Sequence, residues 1–241
     1  EIVAAVQAQP YYAPLFKKAF DDTNVSEDRV TQAIAEFVNS IGSLNSRFDL
    51  AAKANQDKGL FDVVNLPFSD FSVQENKGKS LYMLHCGSCH GFDQVNLPTA
   101  TGPNGFPIVL DHTSNGLDAD PVDKGVGAFT GRSEDQGTFK VPSLRNIAKS
   151  APYMHDGSVA TLEEAIEVFA NGGRNIANGP FAGDGTKNPN KDVRVRALPL
   201  SRQDKADLVE FLKALKDECF LSNPNFSDPG APPPLQPEYC K

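Results

Sequence analysis

Two cysteines stand two residues apart and are followed at once by a histidine, in Cys86-Gly87-Ser88-Cys89-His90. At this spacing both thiols can reach the two vinyl groups on one edge of a porphyrin, while the next residue turns its imidazole onto the iron. The run is the attachment signature of a c-type haem. It assigns Cys86 and Cys89 to the thioether bonds and His90 to the proximal iron position. A zinc knuckle is the rival reading, but it needs four ligands and usually a second close pair. The other cysteines, Cys219 and Cys240, are remote and not so spaced. A thioredoxin-like pair would sit in a βαβ context, and no such pattern is visible.

Helices must carry this motif. Residues 1–23 are apolar and aromatic, with Pro10 and Pro14 dividing them into short helical pieces. Ser26 is a candidate N-cap with Glu27 and Asp28 in the first turn. Val30, Ile34, Phe37, Val38, Ile41 and Leu44 then follow at three- and four-residue spacing, an amphipathic helix. Residues 50–76 read as a connector, and a helix over about 75–84 delivers the haem motif at its end. Residues 91–140 are rich in Gly, Pro, Asn and Asp, as in a long ordered loop that wraps a cofactor. His112 lies there and reads as a hydrogen-bonded loop histidine rather than an iron ligand. Thr161-Leu162-Glu163-Glu164 is a capping box whose helix stops at Gly172-Gly173. Ser201 and Asp204 start a last helix with Leu208, Phe211, Leu212 and Leu215 on its apolar face. A proline-rich tail follows, bracketed by Cys219 and Cys240. A disulfide there would close the tail, and two free thiols are the alternative.

The composition bounds the setting. The chain has 241 residues, 39% of them hydrophobic and 22% charged, ordinary for a soluble globular protein. A net charge of −8 argues against a nucleic-acid partner. No apolar run is long enough to span a bilayer. The chain opens on Glu1, so the lack of a leader carries no information about export. Covalent haem and a disulfide both fit an oxidising, periplasmic or otherwise extracytoplasmic compartment.

Several stretches together carry a resemblance. Gly78-Lys79-Ser80-Leu81 precedes the haem motif, and Asn115-Gly116-Leu117-Asp118 follows it. Then come Gly137-Thr138-Phe139-Lys140-Val141-Pro142-Ser143-Leu144-Arg145-Asn146-Ile147-Ala148 and Ala151-Pro152-Tyr153-Met154-His155-Asp156-Gly157. From residue 1 to about residue 216 the chain resembles the bacterial di-haem cytochrome c peroxidases, a family that includes the MauG-type enzymes. The resemblance implies a mainly α, cytochrome c-like fold with long haem-wrapping loops. It implies residues 1–55 as a helical segment closing an upstream haem domain, 56–221 as the c-type cytochrome domain and 222–241 as the tail. Tyr11-Tyr12-Ala13-Pro14-Leu15-Phe16 is similar to the family's closing segment. The peroxidatic haem, with its tryptophan and glutamate, would lie upstream, in keeping with a chain that has no tryptophan.

The family's roles then fall on particular positions. His90 matches the proximal ligand, and Arg145 and His155 match residues beside the haem propionates. For Arg145 the competing reading is a pair with a loop aspartate. The backbone carbonyls of Ser150 and Pro152 match positions that hold an inter-haem calcium. One position departs: the family's sixth ligand, a methionine or tyrosine, is here Phe169, which cannot ligate iron. This implies a five-coordinate or water-bound iron unless another side chain substitutes. Met154 is the nearest thioether candidate, with core packing its alternative. The activity implied is peroxide reduction, with this haem c domain passing electrons from a small cytochrome or copper protein. A MauG-type oxidase of protein side chains and a stand-alone mono-haem electron carrier or ligand-binding protein are the alternatives. Dimers are common among proteins of this kind.

Overall fold

The computed structural model describes residues 1–59, 65–91, 99–101, 107–109, 112–227, 235 and 237–240. The chain divides into two compact units, Glu1–Ser43 and Leu44–Lys241. The first holds helices α1 (Ile2–Gln7), α2 (Tyr12–Phe20) and α3 (Glu27–Ser40). Pro14 sits in the first turn of α2, where a missing N–H breaks no helical bond. Ser26 caps α3 by accepting from the Arg29 N–H at 3.3 Å. Phe16, Val25 and Val30 form this unit's core, flanked by Val3, Val6, Tyr12 and Phe20.

The second unit opens at Leu44. Its first element is a helix, α4 (Arg47–Asp57), which runs into the stretch 50–76 expected to be a connector. The cause is a capping box: the Ser46 hydroxyl accepts from the Asp49 N–H, and the Asp49 carboxylate accepts from the Ser46 N–H. The same device starts α5 (Val73–His85) with Ser72 and Glu75. Short α6 (Gly87–His90) follows at once, and α7 (Gly127–Thr130) lies in the loop region. Thr161 with Glu164 starts α8 (Leu162–Ala170), and Ser201 with Asp204 starts α9 (Arg202–Lys213). Gly172 takes a φ of +70° after α8, a turn that glycine enters without steric cost.

The haem-wrapping region carries short antiparallel pairs: β1 (Thr99–Thr101) with β2 (Pro107–Val109), and β3 (His112–Thr113) with β4 (Phe139–Lys140). A third pair, β5 (Asn175–Ile176) with β6 (Gly183–Asp184), follows α8. The fold is mainly α, as the resemblance implied.

The core of this unit is the crossing of α5 and α9, with α4 and α8 packed around it. Phe48, Phe68, Tyr82 and Phe211 are all at most 1% exposed. Their rings meet at centroid distances of 5.1 to 5.9 Å, with Phe48 edge-on to Phe211. Gly78 sets the crossing distance, because a Cβ there would collide with the Asp207 carbonyl of α9. After α10 (Glu218–Leu221) the tail returns to the unit through a Cys219–Cys240 disulfide with Cα atoms 5.2 Å apart.

Candidate haem site

The end of α5 shapes the motif. The Cys86 N–H donates to the Tyr82 carbonyl at 2.7 Å, and the Cys86 carbonyl then accepts from Cys89 and His90 N–H at 3.1 and 3.0 Å. This turn places both thiols and the imidazole on the wall of one cavity of about 450 Å³. Tyr82 O–H donates to the Gly91 carbonyl at 3.0 Å and pins the end of the motif.

His90 Nδ1 lies 2.9 Å from the Pro142 carbonyl. A carbonyl can only accept, so Nδ1 carries the proton and Nε2 keeps its lone pair for a metal. Burial pushes the imidazole's pKa down and outweighs the opposing pull of that carbonyl, which keeps the ring neutral. Burial likewise pushes the Cys86 thiol up to about 12. Cys86 and Cys89 are free thiols, distinct from the disulfide pair. Among the described residues there is no group of three or more His, Cys, Asp or Glu that could hold a metal ion by itself.

The other expected residues separate. His155 lines the cavity, its ring stacked on Phe139 at 3.9 Å and 13°. Met154, Phe169, Ser150 and Pro152 also lie in the wall. Met154 adopts a φ of +69°, and its sulfur accepts from Asn115 Nδ2 at 3.4 Å. Arg145 bonds a carboxylate of the chain. It is not in the cavity wall, and its guanidinium grips Asp49 of α4 through two bonds of 2.6 and 2.7 Å. The planar fork matches a carboxylate already oriented by the Ser46 capping box. His112 is not in the wall; its Nε2 lies 3.4 Å from the Asp135 carboxylate, as the loop reading held.

Reading the sequence missed Asn115, Arg194 and Arg196, all in the wall. Arg194 is paired by Asp192, its Nε donating at 2.8 Å. Arg174 was missed too. It is 6% exposed and bonds Leu117, Asp118, Asp156 and Ser158. An arginine directly after two glycines was the available signal.

Residues 1–57 match the family model of di-haem cytochrome c peroxidase, and residues 75–216 match that of cytochrome c. The chain belongs to the di-haem cytochrome c peroxidase and MauG family. It is 29% identical over 231 residues to the cytochrome c551 peroxidase of Nitrosomonas europaea, covering 95% of this chain and 55% of that protein. It is 28% identical over 222 residues to the methylamine utilization protein MauG of Methylorubrum extorquens, covering 90% of this chain and 52% of that one. Among solved structures, a MauG-like protein associated with microbial copper homeostasis is 36% identical with a TM-score of 0.75, covering 95% of this chain and 65% of that one. The chain thus spans little more than half the length of these curated relatives. Haem c is the cofactor that the family brings. The cavity fits it: two free thiols, a neutral imidazole with its outer nitrogen unblocked, and walls of Leu144, Ile147, Ile166 and Phe169. No helix among the described residues is long and apolar enough to cross a membrane.

Proposed function

We propose that this chain carries the electron-entry haem of a di-haem peroxidase, bound through Cys86, Cys89 and His90, with the peroxidatic haem upstream. The observation that carries the reading is the convergence of the two thiols and His90 on one largely apolar cavity. Haem c supplies a one-electron site there. The chain's part is to hold it: Pro142 orients His90, and the aliphatic wall excludes water and so tunes the potential. His155, flat against Phe139 in the wall, would meet a haem edge. Ser150 and Pro152 would offer carbonyl oxygens to a calcium shared with the upstream region. The donor would be a small c-type cytochrome or copper protein, the oxidant hydrogen peroxide, and the compartment periplasmic.

The test is to reduce the haem-loaded chain with a small donor cytochrome and then mix it with peroxide. Fast reduction with slow peroxide turnover is the expected result. Fast turnover by this chain alone would overturn the assignment of the peroxidatic centre to the upstream region. A second reading, oxidation of a protein side chain, is favoured by the 36% identity to the MauG-like structure. It predicts a modified partner protein after peroxide is added to the two-haem protein.

A further inference from the structure

Phe169 presents only carbon to the cavity, so the protein supplies no iron ligand from that position. Asn115 brings an amide into the same wall. Its orientation is fixed, because the Leu117 N–H donates to its Oδ1 at 3.2 Å. Nδ2 is therefore the end turned to Met154, whose sulfur sits 3.4 Å away. A thioether is a weak acceptor. Among the described residues Nδ2 has no stronger partner, so the amide keeps donor capacity toward the cavity.

The frame behind Asn115 is rigid. Arg174 N–H donates to the Gly116 carbonyl at 2.9 Å, and Arg174 Nε to the Leu117 carbonyl at 3.1 Å. Its Nη2 pairs with Asp118, and its Nη1 reaches Asp156 at 3.3 Å and Ser158 Oγ at 2.5 Å. One buried guanidinium thus ties the segment bearing Asn115 to the segment bearing Met154 and His155. A donor held this way meets a ligand without reorganising.

We propose that Asn115 is a ligand-binding residue of the haem cavity. Its amide donates to a small molecule with an accepting oxygen or nitrogen, of the size of dioxygen, peroxide or azide, and Arg174 is its positioning residue. The chain would then bind small ligands at this haem as well as pass electrons through it. This rests on haem c occupying the cavity. A mass measurement showing one haem on the Cys86–His90 peptide checks that premise separately.

The experiment uses the haem-loaded chain, with azide as probe of the ferric form and carbon monoxide as probe of the ferrous form. Both should bind the native protein. Asn115→Leu should raise the azide Kd by about tenfold or more, the weight of one hydrogen bond to a charged acceptor. It should also move the C–O stretch of bound carbon monoxide to higher frequency. Asn115→Ser, whose hydroxyl is too short to reach, should act in the same direction should the leucine variant fail to fold. Arg174→Lys should weaken azide binding and broaden the C–O band, since the amide would lose its fixed aim. An unchanged azide Kd and C–O stretch in both Asn115 variants would overturn the proposal. So would a native protein that binds no carbon monoxide while Met154→Leu does, because the thioether would then hold the iron itself.

Discussion

Replacing Asp49 by asparagine should cost about 3 kcal/mol, and the reason lies in how Arg145 is held. Its guanidinium and the Asp49 carboxylate are only 10% and 16% exposed, joined by two short bonds. Breaking a buried pair by neutralising one member costs about 3–5 kcal/mol. The asparagine amide keeps an oxygen for the Ser46 N–H, so the capping box survives and the lower end of the range applies. The pH dependence follows from the same contacts. Burial pushes the Asp49 carboxyl up, but the Arg145 fork and the Ser46 donors outweigh it and hold the group below its ordinary value. A carboxyl depressed in the folded state stabilises fully above its unfolded pKa of about 3.9, and that contribution fades as pH falls through the folded value. The gap between native protein and Asp49→Asn should therefore be flat from about pH 5 to 8 and should close below about pH 4. Urea denaturation followed by far-ultraviolet circular dichroism, at neutral pH and near pH 3, reads both effects. A penalty under about 1 kcal/mol, the range of exposed pairs, would refute the buried-pair account. A shift in haem midpoint potential in Arg145→Met with stability intact would return that guanidinium to the cofactor.

Three further outcomes are expected. Gly78→Ala should lose about 1–3 kcal/mol by forcing α5 off the Asp207 carbonyl, read as a lower thermal midpoint. Cys219→Ser paired with Cys240→Ser opens a loop with a sequence separation of 21 and should lose about 3 kcal/mol by the loop-entropy relation, measured in urea. Cys86→Ser paired with Cys89→Ser should leave any haem extractable by acid solvent, whereas the native chain retains it in a denaturing gel.

The parts of the fold legible in the sequence are those written locally. Thr161 with Glu164 and Ser201 with Asp204 announce their helices within four residues, and the structure starts α8 and α9 there. The haem motif is equally local. Helix α4 was legible by the same rule, since Ser46 and Asp49 stand three apart. Its apolar content is thin, however, and the polar run after it masked the pattern. The partner of Arg145 could not be read this way. Asp49 lies 96 residues earlier and meets the arginine only through the packing of α4 on the core. Asn115 was visible only as part of a loop motif, because its meaning depends on the backbone of Leu117 and the sulfur of Met154. The packing of α4 was out of reach for a related reason. The Phe48 N–H donates to the Ala214 carbonyl, which commits α4 to the second unit.

The close crossing of α5 and α9 also fixes how small a piece of this chain can be and still hold the site. The motif and the polar cavity residues discussed above fall between Tyr82 and Arg196, which invites a minimal fragment ending after the last of them. Such a fragment would keep all the chemistry and lose the scaffold. Gly78 rests against Asp207, and Tyr82 packs its ring on Phe211. The Asn146 N–H donates to the Leu215 carbonyl, bracing the loop that carries Pro142 from beyond α9. The two ends of the unit brace its middle, so removal of the C-terminal helix should undo the site.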